Sequence, residues 1–213
     1  MGGRLVVVKS DTLLLARSLR VTAVQLPLTS MKDDVATVKR ALALEDGPTA
    51  LVGHSYGGVV ITEAGNDPKV SALVYIAAFA PDAGQSVGSL GASAEPAPMG
   101  AEARPDAHGF LKITEAGVKN DFAQDLSPTE KDVLFATQAP TAASAFGENV
   151  SAAAWKTKQS WYLVANQDRA IPPNLERAMA KTIKAKTIEV AASHVAMLSR
   201  PQETANLILE ATA

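Results

Sequence analysis

Gly53-His54-Ser55-Tyr56-Gly57-Gly58 is where residue type and spacing most directly suggest chemistry. A serine with glycine two places before and two places after it, behind the apolar run Thr49-Ala50-Leu51-Val52, predicts a sharp strand-to-helix turn with Ser55 at its apex. Glycine removes a Cβ where backbone and helix must approach closely. Such a turn aims the hydroxyl out of the sheet. The helix start behind it offers free N–H groups and a positive dipole end, both suited to a developing oxyanion. The first such donor is the backbone N–H of Tyr56.

A serine hydroxyl is a weak nucleophile at neutral pH and needs a base. The chain has three histidines, His54, His108 and His194. At the elbow position the His54 side chain is expected to point away from the hydroxyl and pack beneath the turn. His108 falls in an irregular stretch and reads as a surface residue. His194 follows the last predicted strand, where a loop at the same sheet end reaches the serine, and is the candidate base. The base needs an orienting carboxylate. Asp168, in the polar loop Asn166-Gln167-Asp168-Arg169 after another strand, is the candidate. Asp82 also follows a strand, but a turn role in Pro81-Asp82-Ala83-Gly84 explains it more simply.

These residues must be held by a scaffold. Residues 5–8, 49–52 and 70–78 are short, nearly unbroken apolar runs of the kind buried in parallel sheets. Residues 21–26 read as a further strand, stopped by Pro27. Helices are predicted over 12–19, from Ser30 to Asp46-Gly47-Pro48, and over 57–66. The alternation of strand and helix predicts a parallel sheet with helices on both faces and a site beyond the carboxyl ends of the strands. Residues 85–158 lack strong periodicity and are rich in Gly, Ala, Ser and Pro at their start. They read as a cap or lid insertion in a single domain spanning 1–213. Weak helical signals appear within the insertion at 115–122, 129–137 and 141–146. Regular structure resumes with strands at 160–165 and 186–190 and helices opened by Pro172-Pro173 and Pro201.

Bulk composition narrows the function classes. The chain has 213 residues, 47% of them hydrophobic and 20% charged, enough for a substantial core. A formal net charge of −2 gives no basic excess for nucleic acid or an anionic membrane. The absence of cysteine excludes disulfides, thiol nucleophiles and thiolate metal sites. No apolar run approaches the ~18 residues of a membrane span, and the first residues lack a signal-peptide pattern. A cytoplasmic protein, monomeric or homodimeric, is the expectation.

Three stretches together resemble the small bacterial α/β-hydrolases related to the plant methylesterase and hydroxynitrile-lyase branch: Gly53-His54-Ser55-Tyr56-Gly57-Gly58, the run Tyr75-Ile76-Ala77-Ala78-Phe79-Ala80-Pro81-Asp82-Ala83-Gly84-Gln85-Ser86, and Ser193-His194-Val195-Ala196-Met197-Leu198. The order Ser55, Asp168, His194 is also that of α/β-hydrolases. The resemblance covers roughly residue 20 to the C-terminus. It implies an α/β-hydrolase fold with a helical cap, esterase-type hydrolysis by a Ser55–Asp168–His194 triad, and no metal or organic cofactor. One departure stands out. The family carries a His-Gly loop after the first strand of this region, supplying a second oxyanion N–H. Here residues 5–8 are followed by Lys9-Ser10-Asp11-Thr12, without glycine.

The leading expectation is therefore a serine hydrolase of small carboxylic esters, with Tyr56 supplying an oxyanion donor. A hydroxynitrile-lyase-type enzyme, or a weakly active or non-catalytic protein binding a small ligand in the capped pocket, would use the same scaffold.

Overall fold

The computed structural model describes residues 8–17 and 19–213, with only the backbone described for Val8, Lys9 and Ser10. The described residues begin with helices α1 (Val8–Leu15) and α2 (Met31–Ala43). Strand β1 (Thr49–Ser55), helix α3 (Gly57–Ala64) and strand β2 (Val70–Ala78) follow. An intervening segment holds α4 (Val87–Ala92), β3 (Ala103–Pro105), β4 (Phe110–Ile113), α5 (Glu115–Gly117), α6 (Pro128–Thr137) and β5 (Thr141–Ala142). Strand β6 (Gln159–Ala165), α7 (Pro173–Thr182), β7 (Lys186–Val190), α8 (Ala196–Ser199) and α9 (Pro201–Ala211) complete the chain.

Among the described residues the main sheet is parallel, in the order β1-β2-β6-β7. Its strands are apolar on both sides because both sides are covered. Leu73 and Tyr75 of β2, with Tyr162 and Val164 of β6, face a cluster built on α2, α3 and α7. The alternate residues Ala72, Val74 and Ile76, with Trp161, Leu163 and Ala165, face a cluster built on α1, α8 and α9. This is the two-residue strand period acting on a doubly covered sheet. The fold class read from the sequence is the one observed.

The N-terminal part departs from expectation. Residues 5–7 of the first expected strand lie outside the described residues, and its last residue, Val8, opens α1. The helix expected over 12–19 ends at Leu15. Residues 9–12 therefore lie within a helix, not a loop. The strand expected over 21–26 does not form. That segment crosses from one face of the sheet to the other. Leu19 and Val21 pack on the α1/α9 cluster, and Val24, Leu26 and Leu28 on the α2/α3 cluster. Its apolar residues are satisfied by packing on two faces, which requires no ladder partner, whereas a strand does.

The segment between β2 and β6 contains more than helices. Strands β3, β4 and β5 form a separate antiparallel sheet that periodicity did not reveal. Three or fewer paired residues per strand pair leave too short a run for alternation to register. The helical signal at 115–122 corresponds to α5 continued by one wide π-type turn, Val118–Phe122. The segment is laced to the core. Ala142 N donates to Leu28 O at 2.9 Å, and the Trp155 indole to Pro81 O at 2.8 Å. Glu63 of α3 accepts from Ser151 Oγ at 2.6 Å and from Ser151 N at 2.7 Å.

Candidate active site

Ser55 is the last residue of β1 and has φ of 55°. A side-chain-bearing residue in the left-handed region costs roughly 1–3 kcal/mol and persists only where its surroundings over-determine it. Here they do. Tyr56 already has helical angles and leads into α3, while Phe79 N donates to Ser55 O at 3.1 Å. Opposite the turn, the β1–β2 register jumps from His54↔Ile76 to Ser55↔Ala78. The skipped residue, Ala77, also has positive φ, 42°. The buried Tyr162 hydroxyl braces this bulge, donating to Ala78 O and accepting from Ala78 N at 3.3 Å. The glycines divide their roles. A Cβ on Gly53 would lie 2.6 Å from Gly57 O, and one on Gly58 2.2 Å from Phe79 O, whereas one on Gly57 would meet nothing within 4 Å. The close approach therefore belongs to Gly53 and Gly58, and the last glycine of the five-residue pattern is not sterically required.

Asp168 sits in the loop after β6, His194 in the loop after β7. Main-chain bonds lace the two loops together: Asn166 N to Val190 O at 3.0 Å and Gln167 N to Ala192 O at 3.1 Å. Asp168 Oδ1 accepts from Ala170 N at 2.6 Å and Ile171 N at 2.9 Å, which turns Oδ2 toward the histidine. His194 Nδ1 donates to Asp168 Oδ2 at 2.5 Å. Both side chains are buried. The proton on Nδ1 leaves Nε2 as a bare acceptor. It is buried and has no hydrogen-bond partner among the described residues, so Ser55 Oγ is not bonded to it in this structure. The structure thus joins Asp168 to His194 directly and brings Ser55 to them through its neighbour, His54.

His54 corrects the expectation that it only packs beneath the elbow. Its ring centroid lies 4.6 Å from that of His194, and its Nε2 donates to His194 O at 2.8 Å. Burial, then the positive charge His194 would carry, hold the His54 pKa well below 6.5. The ring is neutral and its proton sits on Nε2. The two other sequence candidates lie elsewhere. His108 is exposed in a turn closed by Asp106, and Asp82 pairs with Lys156 at 2.5 Å.

Several residues at the site were not singled out from sequence. Phe122, in the wide turn, has its ring 5.0 Å from His194 and 6.3 Å from His54. Asp125 accepts from Ser193 N at 2.9 Å and Gln124 donates to Gln167 O at 2.6 Å, so residues 122–125 grip both loops. Glu176 is fully buried behind Asp168, accepting from Ala165 N at 3.0 Å through Oε2. Burial first, then the Asp168 charge, push its carboxyl well above the usual range, so it is held neutral. A signal for Glu176 existed. It lies beside Leu175 in the helical stripe of Met179 and Ala180, where a carboxylate facing water is not expected.

A parallel sheet carrying a strained serine between strand and helix, with an acid and a histidine on the loops after its last two strands, defines a class. The chain belongs to the alpha/beta hydrolase family, whose pattern matches residues 10–207. It is 42% identical over 71 residues to a carbendazim hydrolyzing esterase of Nocardioides sp. (strain SG-4G). That stretch is 32% of this chain and 28% of the esterase. Among solved structures, polyneuridine aldehyde esterase superposes with a TM-score of 0.85 at 20% identity, covering 99% of this chain and 95% of that one. A pyrethroid hydrolase from Sphingobium faniae JZ-2 gives 0.82 at 22% identity, covering 96% and 90%. At these identities the structural likeness is one of fold. No helix among the described residues is long and apolar enough to cross a membrane.

Proposed function

We propose that the protein is a serine hydrolase of small carboxylic esters, working through Ser55, His194 and Asp168. The observation that carries this reading is the His194 ring, locked by Nδ1 onto Asp168 with a buried, bare Nε2. Ester hydrolysis by the carbendazim relative and the esterase-named structural neighbours supports the substrate class.

In this reaction His194 Nε2 takes the Ser55 proton as Oγ attacks the carbonyl carbon. The Tyr56 N–H stabilises the oxyanion of the tetrahedral intermediate. The intermediate collapses to an acyl-serine, and His194 returns the proton to the departing alcohol. A water molecule, deprotonated by the same nitrogen, then releases the acid. Asp168 holds the ring orientation and stabilises the transient imidazolium. The distance left open between Nε2 and Ser55 closes when substrate arrives, as catalytic hydrogen bonds commonly do. The segment at 85–158 acts as the cap over this site, with Phe122 against the two histidines. No step calls on a cofactor, and the protein works in the cytoplasm on a small-molecule ester.

A fluorophosphonate probe and a short p-nitrophenyl ester test the reading. Labelling of Ser55, and turnover lost in Ser55→Ala and His194→Ala, is the expected result. Absent labelling, or labelling unchanged in His194→Ala, overturns it. Cyanohydrin cleavage without ester hydrolysis would instead assign lyase chemistry.

A further inference from the structure

Asp34 takes no part in the steps above, yet it is a fully buried carboxylate tied to the residue after the nucleophile. Its Oδ2 accepts from the Tyr56 hydroxyl at 2.8 Å, and its Oδ1 from Leu28 N at 2.8 Å. Tyr56 and Leu28 are each 3% exposed, so neither bond competes with water. Leu28 has φ of 60°, a third left-handed residue near the elbow after Ser55 and Ala77. The cap segment bears on the same unit at three points. Ala142 N donates to Leu28 O at 2.9 Å, and the Phe146 ring meets that of Tyr56 edge-on at 5.6 Å. Glu148 accepts from Met31 N at 3.1 Å and Lys32 N at 3.3 Å, at the start of the helix that carries Asp34.

Tyr56 therefore does two jobs in one residue. Its main-chain N–H lies next to Ser55, and its side chain is anchored to another element. With φ of −53° at Tyr56 and 55° at Ser55, small rotations about this junction re-aim the N–H. A hydroxyl bonded to a buried carboxylate resists such rotations.

We infer that Asp34 is a positioning residue: by holding the Tyr56 hydroxyl it fixes the Tyr56 N–H beside Ser55, and it links that donor to the docked 142–148 segment. The inference rests on the serine-hydrolase reading for its catalytic consequence, though the anchoring itself does not.

The test compares the full chain with Tyr56→Phe, Asp34→Ala and Asp34→Asn on a short p-nitrophenyl ester. Tyr56→Phe and Asp34→Ala lower kcat about tenfold with KM nearly unchanged, less than the ~10²–10³ cost of deleting an oxyanion donor. The double variant is no slower than Asp34→Ala, because one interaction is removed twice. Asp34→Asn recovers most of the rate, since its amide still accepts from Leu28 N and donates to the Tyr56 oxygen. Unchanged kcat in both single variants, with only Tm lowered, overturns the inference. A second readout needs no turnover. Amide hydrogen exchange over residues 53–60 rises in Tyr56→Phe while that over 70–78 stays constant, and equal exchange in the two proteins overturns the inference. Wild-type protein that neither turns over nor labels would sink the hydrolase reading, and the exchange comparison alone then decides the anchoring.

Discussion

His54 and His194 are joined by a hydrogen bond from the ring Nε2 of the first to the main-chain carbonyl of the second, 2.8 Å long. The residue before Ser55 thus holds the loop that carries His194. His54 lies near the end of β1 and His194 in the loop after β7, and these strands are opposite ends of the described sheet order. A direct bond between them sets how far His194 sits from Ser55.

His54→Ala removes that donor without altering the side chain of Ser55 or His194. Ester turnover is expected to fall by as much as ~10²-fold in kcat, the scale of a small misplacement of reacting groups. His54→Gln, which keeps an N–H of similar reach, recovers part of the loss. Steady-state kinetics of the two variants decide the point, and full activity in His54→Ala would contradict it. The ring also shapes stability. The folded protein keeps His54 neutral well below 6.5, while the unfolded chain takes up its proton near that value. Stability is therefore lost as pH falls below 6.5, and His54→Gln flattens that part of a Tm–pH curve.

Asp168→Asn tests the ring orientation. The amide can donate where the carboxylate accepts, which favours the His194 tautomer with its proton on Nε2, unable to take one from Ser55. By analogy with the same substitution in a serine protease, kcat is expected to drop by about 10⁴ with the fold intact. Circular dichroism and burst-phase kinetics check both halves.

Glu176 gives a pH effect of opposite sign to that of His54. Its folded pKa is raised by burial, so the unfolded chain ionises from about 4.5 while the folded protein keeps the proton. Stability on this account declines as pH rises from 4.5 to the folded pKa. Glu176→Gln, neutral at every pH, is expected to be more stable than wild type at pH 8, with the difference vanishing toward pH 4.5. Each kcal/mol gained reads as a rise of about 2–4 °C in Tm for a chain of this size. A Tm difference that does not change with pH would show that Glu176 is not held neutral.

The elbow glycines separate cleanly. Gly57→Ala meets nothing within 4 Å and has an ordinary φ, so it is tolerated and stabilises by about 0.4–1 kcal/mol through the unfolded chain. Gly58→Ala would place a Cβ 2.2 Å from Phe79 O and 2.9 Å from Ala78 Cβ. Backbone on both sides must shift, a cost of roughly 1–3 kcal/mol or more. Urea midpoints of the two variants should therefore move in opposite directions.

Sequence by itself determined the scaffold and the candidates. Unbroken apolar runs marked β2, β6 and the elbow strand, because a parallel sheet covered on both faces needs apolar residues at every position. Glycine and proline marked where those strands give way to helices. Ser55, Asp168 and His194 were legible because each sits next to such a boundary, where a loop is free to carry a polar side chain. What the sequence suggested for residues 21–26 did not hold, since a strand exists only when another strand pairs with it, and that pairing is not written in the run itself. Only the tertiary structure decided the roles of His54, Glu176 and Asp34. Each is a polar side chain on a regular element, and its partner lies elsewhere in the fold: the His194 carbonyl, Asp168 and the Ala165 N–H, and Tyr56. Burial removes water as the alternative partner, so whichever group the fold brings alongside sets whether the ring is neutral, the acid protonated or the tyrosine anchored. That choice depends on distances across the fold, which no local spacing encodes.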